Sequence, residues 1–361
     1  MNCPDFFEKI KELDSLFQEY FEKEEFNESV YQSITDIISF QKMTEVRSKF
    51  KILINLMANI VSYHRVGHNF EEKFEKIIQF LDIFKTFTPN QIFKFFRFSR
   101  RSLYYFFRHK LITPNDNMLK EIIKNNFHYY LFNYIPNSLY TYKQCGYVIH
   151  SVAYSMPQNS QELLEIGENN FQICSLIRKD LVEEFVTYVS TNNFQLNTMI
   201  PLSYFETNPF LCGKSVSLIQ YAAFFGSIQI FQYLKMNSVY LDQSLWEFAI
   251  HGQSPEIIHL LEENRITLPK EKLPGLIEEA IKCHYSNIAT YLINKDDELK
   301  PDSFYRFAYT YYNFEFFLQE MNYGYIFLFA CDYDYIDIAK DIIQEKGFQR
   351  HEELIFNNFF F

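Results

Sequence analysis

The chain has 361 residues, enough for two globular domains or one long repeat array, and it contains 41 Phe and 27 Tyr but only 9 Gly. So few glycines argue against a β-sandwich or a barrel, whose many tight turns need glycine, and favour a mostly helical chain. The formal net charge of −11 argues against a general attraction to nucleic acid, so no nucleic-acid partner is expected.

Residues 1–155 are predicted to form a helical N-terminal region that is less regular than the rest of the chain. Near its start, apolar side chains recur at three- and four-residue steps and mark one face of a helix: Phe6, Phe7, Ile10, Leu13, Leu16 and Phe17. Later, Thr88-Pro89-Asn90 and Thr113-Pro114-Asn115 each precede an apolar run. Because Thr accepts hydrogen bonds from free amides and Pro fits the first turn, both Thr residues are predicted helix caps.

His64 and His68 have the i, i+4 spacing that can place two imidazoles on one metal ion, with Glu71 and Glu72 nearby. However, Gly67 weakens the helix that this geometry needs, and no third His or Cys lies close in the sequence. We therefore interpret both as polar surface histidines, and we predict no metal and no cofactor.

A basic segment, residues 85–110, contains no acidic residue and interleaves its cations with Phe and Tyr: Lys85, Lys94, Arg97, Arg100, Arg101, Arg108 and Lys110. Basic and aromatic residues together can bind single-stranded nucleic acid or an anionic membrane. The preferred interpretation is an exposed helical face whose Arg stems cover the edge of an aromatic core. The chain also has an acidic C-terminal region, which includes Asp332, Asp334, Asp337, Asp341 and Glu345. A third possibility is that the basic segment contacts this region, within one molecule or between two.

Residues 160–350 are predicted to form a repeat domain, preceded by a boundary at 156–160 with Ser160 as a helix cap and followed by a tail at 351–361. A small residue is followed at a constant distance by an apolar i, i+1, i+4 stripe in copies that start at Ala222, Ala249, Ala280, Ala308 and Ala330. An Ala lets a first helix approach its neighbour, and the stripe on a second helix fills the space between adjacent pairs. The pattern predicts a series of helix pairs that bury their apolar faces only by stacking.

The first of these copies, Ser217-Leu218-Ile219-Gln220-Tyr221-Ala222-Ala223-Phe224-Phe225-Gly226-Ser227, resembles the Thr-Pro-Leu-His-x-Ala-Ala-x-x-Gly-His signature of ankyrin repeats. Residues 171–265 also resemble a domain of unknown function that accompanies ankyrin repeats in large families from parasitic protists. Later copies replace the helix-linking Gly with Gln253, His284 and Asp334. The resemblance implies an all-α, ankyrin-like helix-pair solenoid that acts as a non-catalytic scaffold for protein–protein interaction.

The resemblance also implies a binding surface, because ankyrin-type stacks bind through first-helix positions beside the small residues and through loops. Matching those positions onto this chain gives the contact candidates Tyr221, Phe224, His251, Lys282, Thr310, Tyr311 and Asp332. Ordinary packing between repeats is the alternative, and it is preferred for Tyr221 and Phe224. The expected partner is a protein whose identity the residues do not reveal.

The cysteines are scattered and form no Cys-x-x-Cys pair, a pattern typical of reduced and mostly buried thiols: Cys3, Cys145, Cys174, Cys212, Cys283 and Cys331. The first residues lack the apolar segment of a signal peptide, and the chain has no run of about 18 apolar residues. We therefore expect a cytoplasmic protein without a transmembrane segment.

No phosphate loop, Rossmann fingerprint, nucleophile elbow, His-Glu-x-x-His or kinase signature occurs, which argues against the common enzyme classes. Asp332, Asp334 and Asp337 resemble part of a calcium loop, but its Gly and final Glu are missing, so an exposed acidic corner is predicted. The alternative to a scaffold is an enzyme or ligand-binding protein with its site in the aromatic-rich N-terminal half. A compact pocket with convergent polar groups and shifted pKa values would support that alternative.

Overall fold

A computed structural model of the protein describes residues 3–134, 160–317 and 323–346, except 24, 68 and 126. The described residues are mostly helical, which confirms the all-α prediction. Up to residue 134, the described part of the N-terminal region contains nine α-helices and then a 3₁₀ turn: α1 (Cys3–Glu22), α2 (Glu28–Phe40), α3 (Arg47–Tyr63), α4 (Phe70–Leu81), α5 (Ile83–Thr86), α6 (Pro89–Phe96), α7 (Arg100–Arg108), α8 (Asp116–Lys124), α9 (His128–Leu131) and Phe132–Tyr134.

From residue 160 to residue 346, the described residues form α10 (Ser160–Ile166) and then six helix pairs, each with a first and a second helix. Pairs 1 to 3 are α11 (Gln172–Arg178) with α12 (Val182–Thr191), α13 (Leu218–Phe225) with α14 (Ile228–Met236), and α15 (Leu245–Gly252) with α16 (Pro255–Glu263). Pairs 4 to 6 are α17 (Leu273–Lys282) with α18 (Ser286–Ile293), α19 (Tyr305–Thr310) with α20 (Phe314–Phe317), and α21 (Tyr323–Asp332) with α22 (Ile336–Lys346). Two 3₁₀ turns precede pairs 4 and 5, at Lys270–Lys272 and Pro301–Phe304.

Strand structure in the described residues is limited to one antiparallel pair that leads into the second helix pair. Its strands are β1 (Met199–Ile200) and β2 (Val216–Ser217), with Met199 opposite Ser217. Ser217 then caps α13 in a reciprocal arrangement with Gln220: the Ser217 hydroxyl accepts the Gln220 amide, and the Gln220 side chain accepts the Ser217 amide at 2.8 Å. The short strands therefore position the start of the ankyrin-like signature.

The predicted helix starts are confirmed at one Thr-Pro sequence and wrong at the other. Thr88 caps α6 in a capping box with Gln91. At the second sequence α8 begins at Asp116, and the cap is Asn115, whose side chain accepts the free amides at N2 and N3 at 3.1 Å each. Asn caps a helix at least as well as Thr, so the helix starts after Asn115 rather than after Thr113. The predicted boundary at residues 156–159 lies outside the described residues, and Ser160 is the first described residue of α10.

Successive first helices contact one another from α11 to α19. The five alanines of the predicted repeat are each at most 1% exposed: Ala222, Ala249, Ala280, Ala308 and Ala330. The approach between α13 and α15 is so close that a Cβ atom added to Gly252 would lie 2.1 Å from the Ala223 carbonyl oxygen. Only glycine fits at this point, because the obstructing atom belongs to the backbone.

The linker between the two helices adopts a left-handed backbone conformation in every pair. The linking residues, with φ between 48° and 67°, are Asp180, Gly226, Gln253, His284, Tyr312 and Asp334. The three positions predicted to replace the linking glycine are therefore confirmed as equivalent to Gly226. For a non-glycine residue this conformation is less favourable by roughly 1–2 kcal/mol, and other contacts must offset that free energy.

The N-terminal helices lie across these linkers and across the C-terminal ends of the first helices. Helix α1 contacts α20 and α22, and α3 also contacts α22. The Arg65 guanidinium, just beyond α3, donates to the Phe225 carbonyl oxygen at the end of α13 (2.7 Å). Lys51 of α3 donates to the Tyr333 carbonyl oxygen at the end of α21 (3.3 Å). Positive groups thus face the negative ends of helix dipoles, a favourable arrangement.

Candidate functional site

Three of the seven predicted contact residues are buried between helices. Tyr221, Phe224 and His251 are each at most 2% exposed. The Tyr221 hydroxyl accepts a hydrogen bond from Arg178 (2.9 Å), and the Phe224 ring stacks on the ring of Phe210. These contacts belong to the interior of the stack and to the loop before α13.

Lys282 is half-buried beneath the end of α3. Its Nζ lies 3.0 Å from both carboxylate oxygens of Glu279 and 4.9 Å from the centre of the Tyr63 ring. Cys283, the next residue, lies beneath the Tyr63 carbonyl oxygen. The part of the stack predicted to receive a partner is therefore covered here by the chain's own N-terminal region.

The remaining three predicted contact residues are more accessible. Thr310 is exposed, and Tyr311 is half-buried, with its hydroxyl donating to Glu278 (3.1 Å). Asp332 is exposed and accepts a hydrogen bond from the Tyr309 hydroxyl (3.2 Å). Its neighbours Asp334 and Asp337 are exposed as well, which confirms the predicted acidic corner.

Thr310 and Tyr311 line a large cleft between the N-terminal helices α3 and α6 and the last two helix pairs. Its volume is about 880 Å³. We call it the basic–aromatic cleft, because it combines the cations Arg47, Lys51, Lys94, Arg97 and Lys340 with the rings Tyr63, Phe87, Phe95, Phe98, Tyr311, Tyr312, Tyr333 and Tyr335. Two carboxylates, Asp334 and Asp337, lie at the same cleft.

The charges of the basic–aromatic cleft are only partly compensated. Lys94, Arg97 and Lys340 are exposed, and none forms an ion pair with another described residue. The Arg97 guanidinium lies 4.8 Å from the centre of the Phe98 ring, where the π-system favours a cation. Asp337 already accepts a hydrogen bond from the Ser48 hydroxyl (3.0 Å). The cleft therefore offers more positive than negative groups to a bound molecule.

The tyrosines of the cleft remain hydrogen-bond donors at neutral pH. Burial raises the pKa of Tyr63 and of Tyr311, which disfavours the phenolate. A partner would therefore meet neutral rings with polar edges, flanked by cations. Such surfaces are typical of the centres of protein interfaces, where Tyr and Arg are enriched.

The predicted exposed face of the basic segment is wrong for Arg100 and Arg101, which are both buried. Arg100 donates to the Glu206 carbonyl oxygen (2.7 Å), and Arg101 donates to the carbonyl oxygens of Val66 and Glu165 (3.2 Å each). The guanidinium group has five donors in a fixed plane, so it can satisfy carbonyl oxygens of several loops at once. These two cations join the N-terminal region to the stack instead of facing solvent.

A small polar cavity lies where the N-terminal half meets the stack. It has a volume of about 40 Å³ and is lined by residues that include His64, Arg65, Arg100, Arg101, Glu168 and Glu206. Burial raises the pKa of Glu206 to about 7 and lowers the pKa of His64. A pocket with shifted pKa values is what the enzyme alternative predicts, but this pocket is far smaller than the basic–aromatic cleft.

His64 itself is only 3% exposed, so its interpretation as a surface histidine is wrong. The chain turns inward after α3, and the His64 ring packs against the rings of His284 and Tyr285. Neither of its nitrogens has a hydrogen-bond partner among the described residues. His68, the other half of the proposed pair, lies outside the described residues.

Sequence reasoning missed a second polar cluster, formed by His251, Glu279 and Cys283. The Cys283 sulfur lies 3.4 Å from His251 Nδ1, and His251 Nε2 lies 3.0 Å from Glu279 Oε1. The order thiol–imidazole–carboxylate matches that of a nucleophilic triad. However, Cys283 is 0% exposed and burial raises its pKa, which disfavours the nucleophilic thiolate. In the sequence, the i, i+4 spacing of Glu279 and Cys283 was the signal that could have indicated this cluster.

Comparison of the chain with protein-family models, with curated proteins and with solved structures finds no match. Within the described ranges, no helix has both the length and the apolar character that crossing a membrane requires. The function proposed below therefore rests on the geometry of the stack and of the basic–aromatic cleft.

Proposed function

We propose that the protein is a non-catalytic protein-interaction scaffold of ankyrin type, and that its partner docks in the basic–aromatic cleft. Three features support the ankyrin-type assignment: stacked helix pairs, buried alanines between first helices, and a left-handed linker in each pair. Such arrays present extended surfaces rather than deep catalytic pockets. The two polar clusters described above support a non-catalytic role, since one lies at a cavity of only about 40 Å³ and the other buries its thiol completely.

The observation that carries the docking site is that cations outnumber carboxylates and lie among aromatic rings in a cleft of about 880 Å³. The partner that fits is a protein segment with acidic residues for Lys94, Arg97 and Lys340 and with apolar or aromatic side chains for the rings. Complementary charge would speed and orient the encounter, while the rings would supply most of the affinity. The proposed binding surface therefore lies at the C-terminal end of the stack rather than in its middle. Of the seven predicted contact residues, only Thr310 and Tyr311 line it.

We further propose that the protein acts in the cytoplasm. Cys174, Cys212, Cys283 and Cys331 are free thiols, and Cys174 and Cys283 are buried. Free and buried thiols are typical of proteins from a reducing compartment.

The test is to pan a displayed library of random peptides against the intact protein. We expect the enriched peptides to combine Asp or Glu with Phe, Tyr or Leu. The double reversal Lys94→Glu/Arg97→Glu should weaken their binding by at least about tenfold, or ~1.4 kcal/mol. The matched control is Lys120→Glu/Lys124→Glu on α8, which reverses two exposed cations away from the cleft.

Binding should also weaken as salt is added, since exposed charges are screened over about 8–10 Å near physiological ionic strength. Enriched peptides that bind the Lys94→Glu/Arg97→Glu variant as well as the parent would show that the basic–aromatic cleft is not the docking site.

A further inference from the structure

The cluster of His251, Glu279 and Cys283 has the make-up of a metal site between two first helices. Glu279 and Cys283 are one helical turn apart at the end of α17, and His251 comes from the adjacent α15. One ligand atom from each residue can be chosen so that all three lie within 4.8 Å of one another. In a tetrahedral zinc site the ligand atoms are about 3.3–3.8 Å apart, given zinc bond lengths of about 2.0–2.3 Å. Only small side-chain adjustments separate the cluster from that geometry.

The ligand types also suit zinc. Imidazole nitrogen, carboxylate oxygen and thiolate sulfur are its three usual protein ligands, and three of them leave one position for water. His251 Nε2 lies 3.0 Å from Glu279 Oε1, and the Cys283 sulfur lies 3.4 Å from His251 Nδ1, so the three ligand types are already in mutual contact.

The surroundings provide both an entry route and support for the ligands. Glu279 lines an outer cleft of about 450 Å³ through which a hydrated cation can reach it. Lys282 contacts both Glu279 oxygens at 3.0 Å, so one oxygen can bind the metal while the other keeps its charged partner. The His251 ring packs against the rings of Phe210 and Phe224, at 4.2 Å and 5.0 Å between centres, which limits its rotation.

We propose that His251, Glu279 and Cys283 bind one zinc ion, which cross-links helix pairs 3 and 4 directly beneath Tyr63. His251 binds through Nε2, whose hydrogen moves to Nδ1, and Glu279 binds through one oxygen. At Cys283 the S–H bond breaks, the proton leaves to solvent and a zinc–sulfur bond forms, with no change in oxidation state. Each zinc ion bound therefore releases one proton.

The test uses the intact protein, freed of metal with a chelator and titrated with Co²⁺ as a spectroscopic substitute for zinc. We expect one cobalt ion per chain with a thiolate-to-cobalt charge-transfer band, which one equivalent of Zn²⁺ abolishes. Cys283→Ser should lose the band. His251→Gln should weaken zinc binding by more than the roughly 10–100-fold that loss of an outer-shell partner costs. The absence of a stoichiometric band in the parent protein would overturn the proposal.

Matched controls separate this site from adventitious binding. Cys331 and His259 are exposed residues of the same types, so Cys331→Ser and His259→Gln should leave the cobalt band and the zinc affinity unchanged. A band that survives Cys283→Ser but disappears in Cys331→Ser would place the metal elsewhere and overturn the proposal.

Two further measurements keep the proposal testable if Cys283→Ser fails to fold. Zinc should raise the melting temperature of the parent protein by a few degrees, because a ligand that binds only the folded state stabilises it. Glu279→Gln preserves the shape of the side chain but supplies a weaker ligand, so zinc affinity should fall at least about tenfold while the circular dichroism spectrum is unchanged. A melting temperature insensitive to zinc, or equal zinc affinity in Glu279→Gln, would contradict a site at these residues.

Discussion

Glu206 is a carboxyl group that the fold keeps away from water, and it couples stability to pH. Its Oε1 accepts the Asn208 amide (3.0 Å), while Oε2 has no hydrogen-bond partner among the described residues. Burial raises its pKa to about 7, from an ordinary value of 4.5. Between these two values the folded protein binds more protons than the unfolded chain. The contribution of Glu206 to stability is therefore fully present below pH 4.5 and is lost as the pH rises through about 7.

Glu206→Gln should remove this pH dependence, because Gln resembles the protonated acid at every pH. We expect the variant to be more stable than the parent by about 1–3 kcal/mol at pH 8 and nearly equal to it near pH 4.5. Urea unfolding at both pH values measures the difference. Glu184→Gln, at an exposed position of α12, serves as a control and should show no such change. A difference between Glu206→Gln and the parent that is the same at both pH values would contradict the assignment.

Gly252 lies where two first helices are in backbone contact. We expect Gly252→Ala to destabilise the protein by about 1–3 kcal/mol or more, because the new Cβ would meet the Ala223 carbonyl oxygen and α13 and α15 would have to separate. Gly275→Ala is the matched control: nothing lies within 4 Å of its added Cβ, and Ala should stabilise α17 by about 0.5–1 kcal/mol. Thermal unfolding of both variants measures these shifts. Equal melting temperatures for Gly252→Ala and the parent would mean that the two helices are not this close.

At the scale of helix pairs, the linkers share one backbone conformation but differ in what their side chains do. Gln253 is exposed, whereas His284 is buried. His284 Nδ1 lies 2.8 Å from Asp14 of α1, and Nε2 lies 2.9 Å from the Tyr311 carbonyl oxygen. Both ring nitrogens therefore lie within hydrogen-bonding distance of an oxygen atom. His284 thus fastens α1 to pairs 4 and 5, a role that glycine cannot fill.

The same substitution should therefore have opposite effects at the two linkers. Gln253→Gly relieves the left-handed conformation and should stabilise the protein by up to about 1 kcal/mol, after the greater freedom of the unfolded chain is subtracted. His284→Gly also relieves it, but it leaves Asp14 without its buried partner and should destabilise the protein by roughly 3 kcal/mol or more. Chemical denaturation of both variants measures the sign of each change in the free energy of unfolding. Stabilisation by His284→Gly would show that its contacts with Asp14 and Tyr311 contribute little.

Local sequence patterns were sufficient to predict the helix pairs, but they were insufficient to predict how the N-terminal region packs over these pairs. The apolar spacing in α1 and the alanines of the first helices are short-range signals, and the structure buries the residues that they mark, except Leu16, which is partly buried. By contrast, His64 is surrounded in sequence by polar residues, and its burial depends on Tyr285, which is far away along the chain. No periodicity encodes such a contact. For the same reason, the positions of His251 and Lys282 on first helices could be predicted, but not the covering of this surface by Tyr63.

At the scale of the whole molecule, contacts between α1, α3 and the linkers should make unfolding a single cooperative event. The chain has one Trp, Trp246, which is buried in pair 3 and therefore reports on the stack alone. We expect Asp14→Ala in α1 to cost roughly 3 kcal/mol, because it removes the buried partner of His284. The fluorescence of Trp246 and the far-ultraviolet circular dichroism should then shift to lower denaturant by the same amount.

Glu12→Ala on the same helix is the control, since Glu12 forms only an exposed pair with Lys9 and should change stability by less than about 0.5 kcal/mol. The contrary result for Asp14→Ala is Trp246 fluorescence that changes at the same denaturant concentration as in the parent while the circular dichroism falls in two steps. That result would show that the N-terminal region and the stack unfold separately.

The contact between Asp14 and His284 also implies a delay during synthesis of the chain. The two residues are 270 positions apart, so α1 leaves the ribosome long before the surface that it covers exists. At about 5–20 residues per second, the interval is roughly 14–54 s. For that time the apolar face of α1, with Phe6 and Phe7, has no native partner in pairs 4 to 6 and is open to chaperones or to other nascent chains. Slowing translation between α10 and pair 4 should lengthen this exposure, and the yield of native protein should fall when chaperones are scarce.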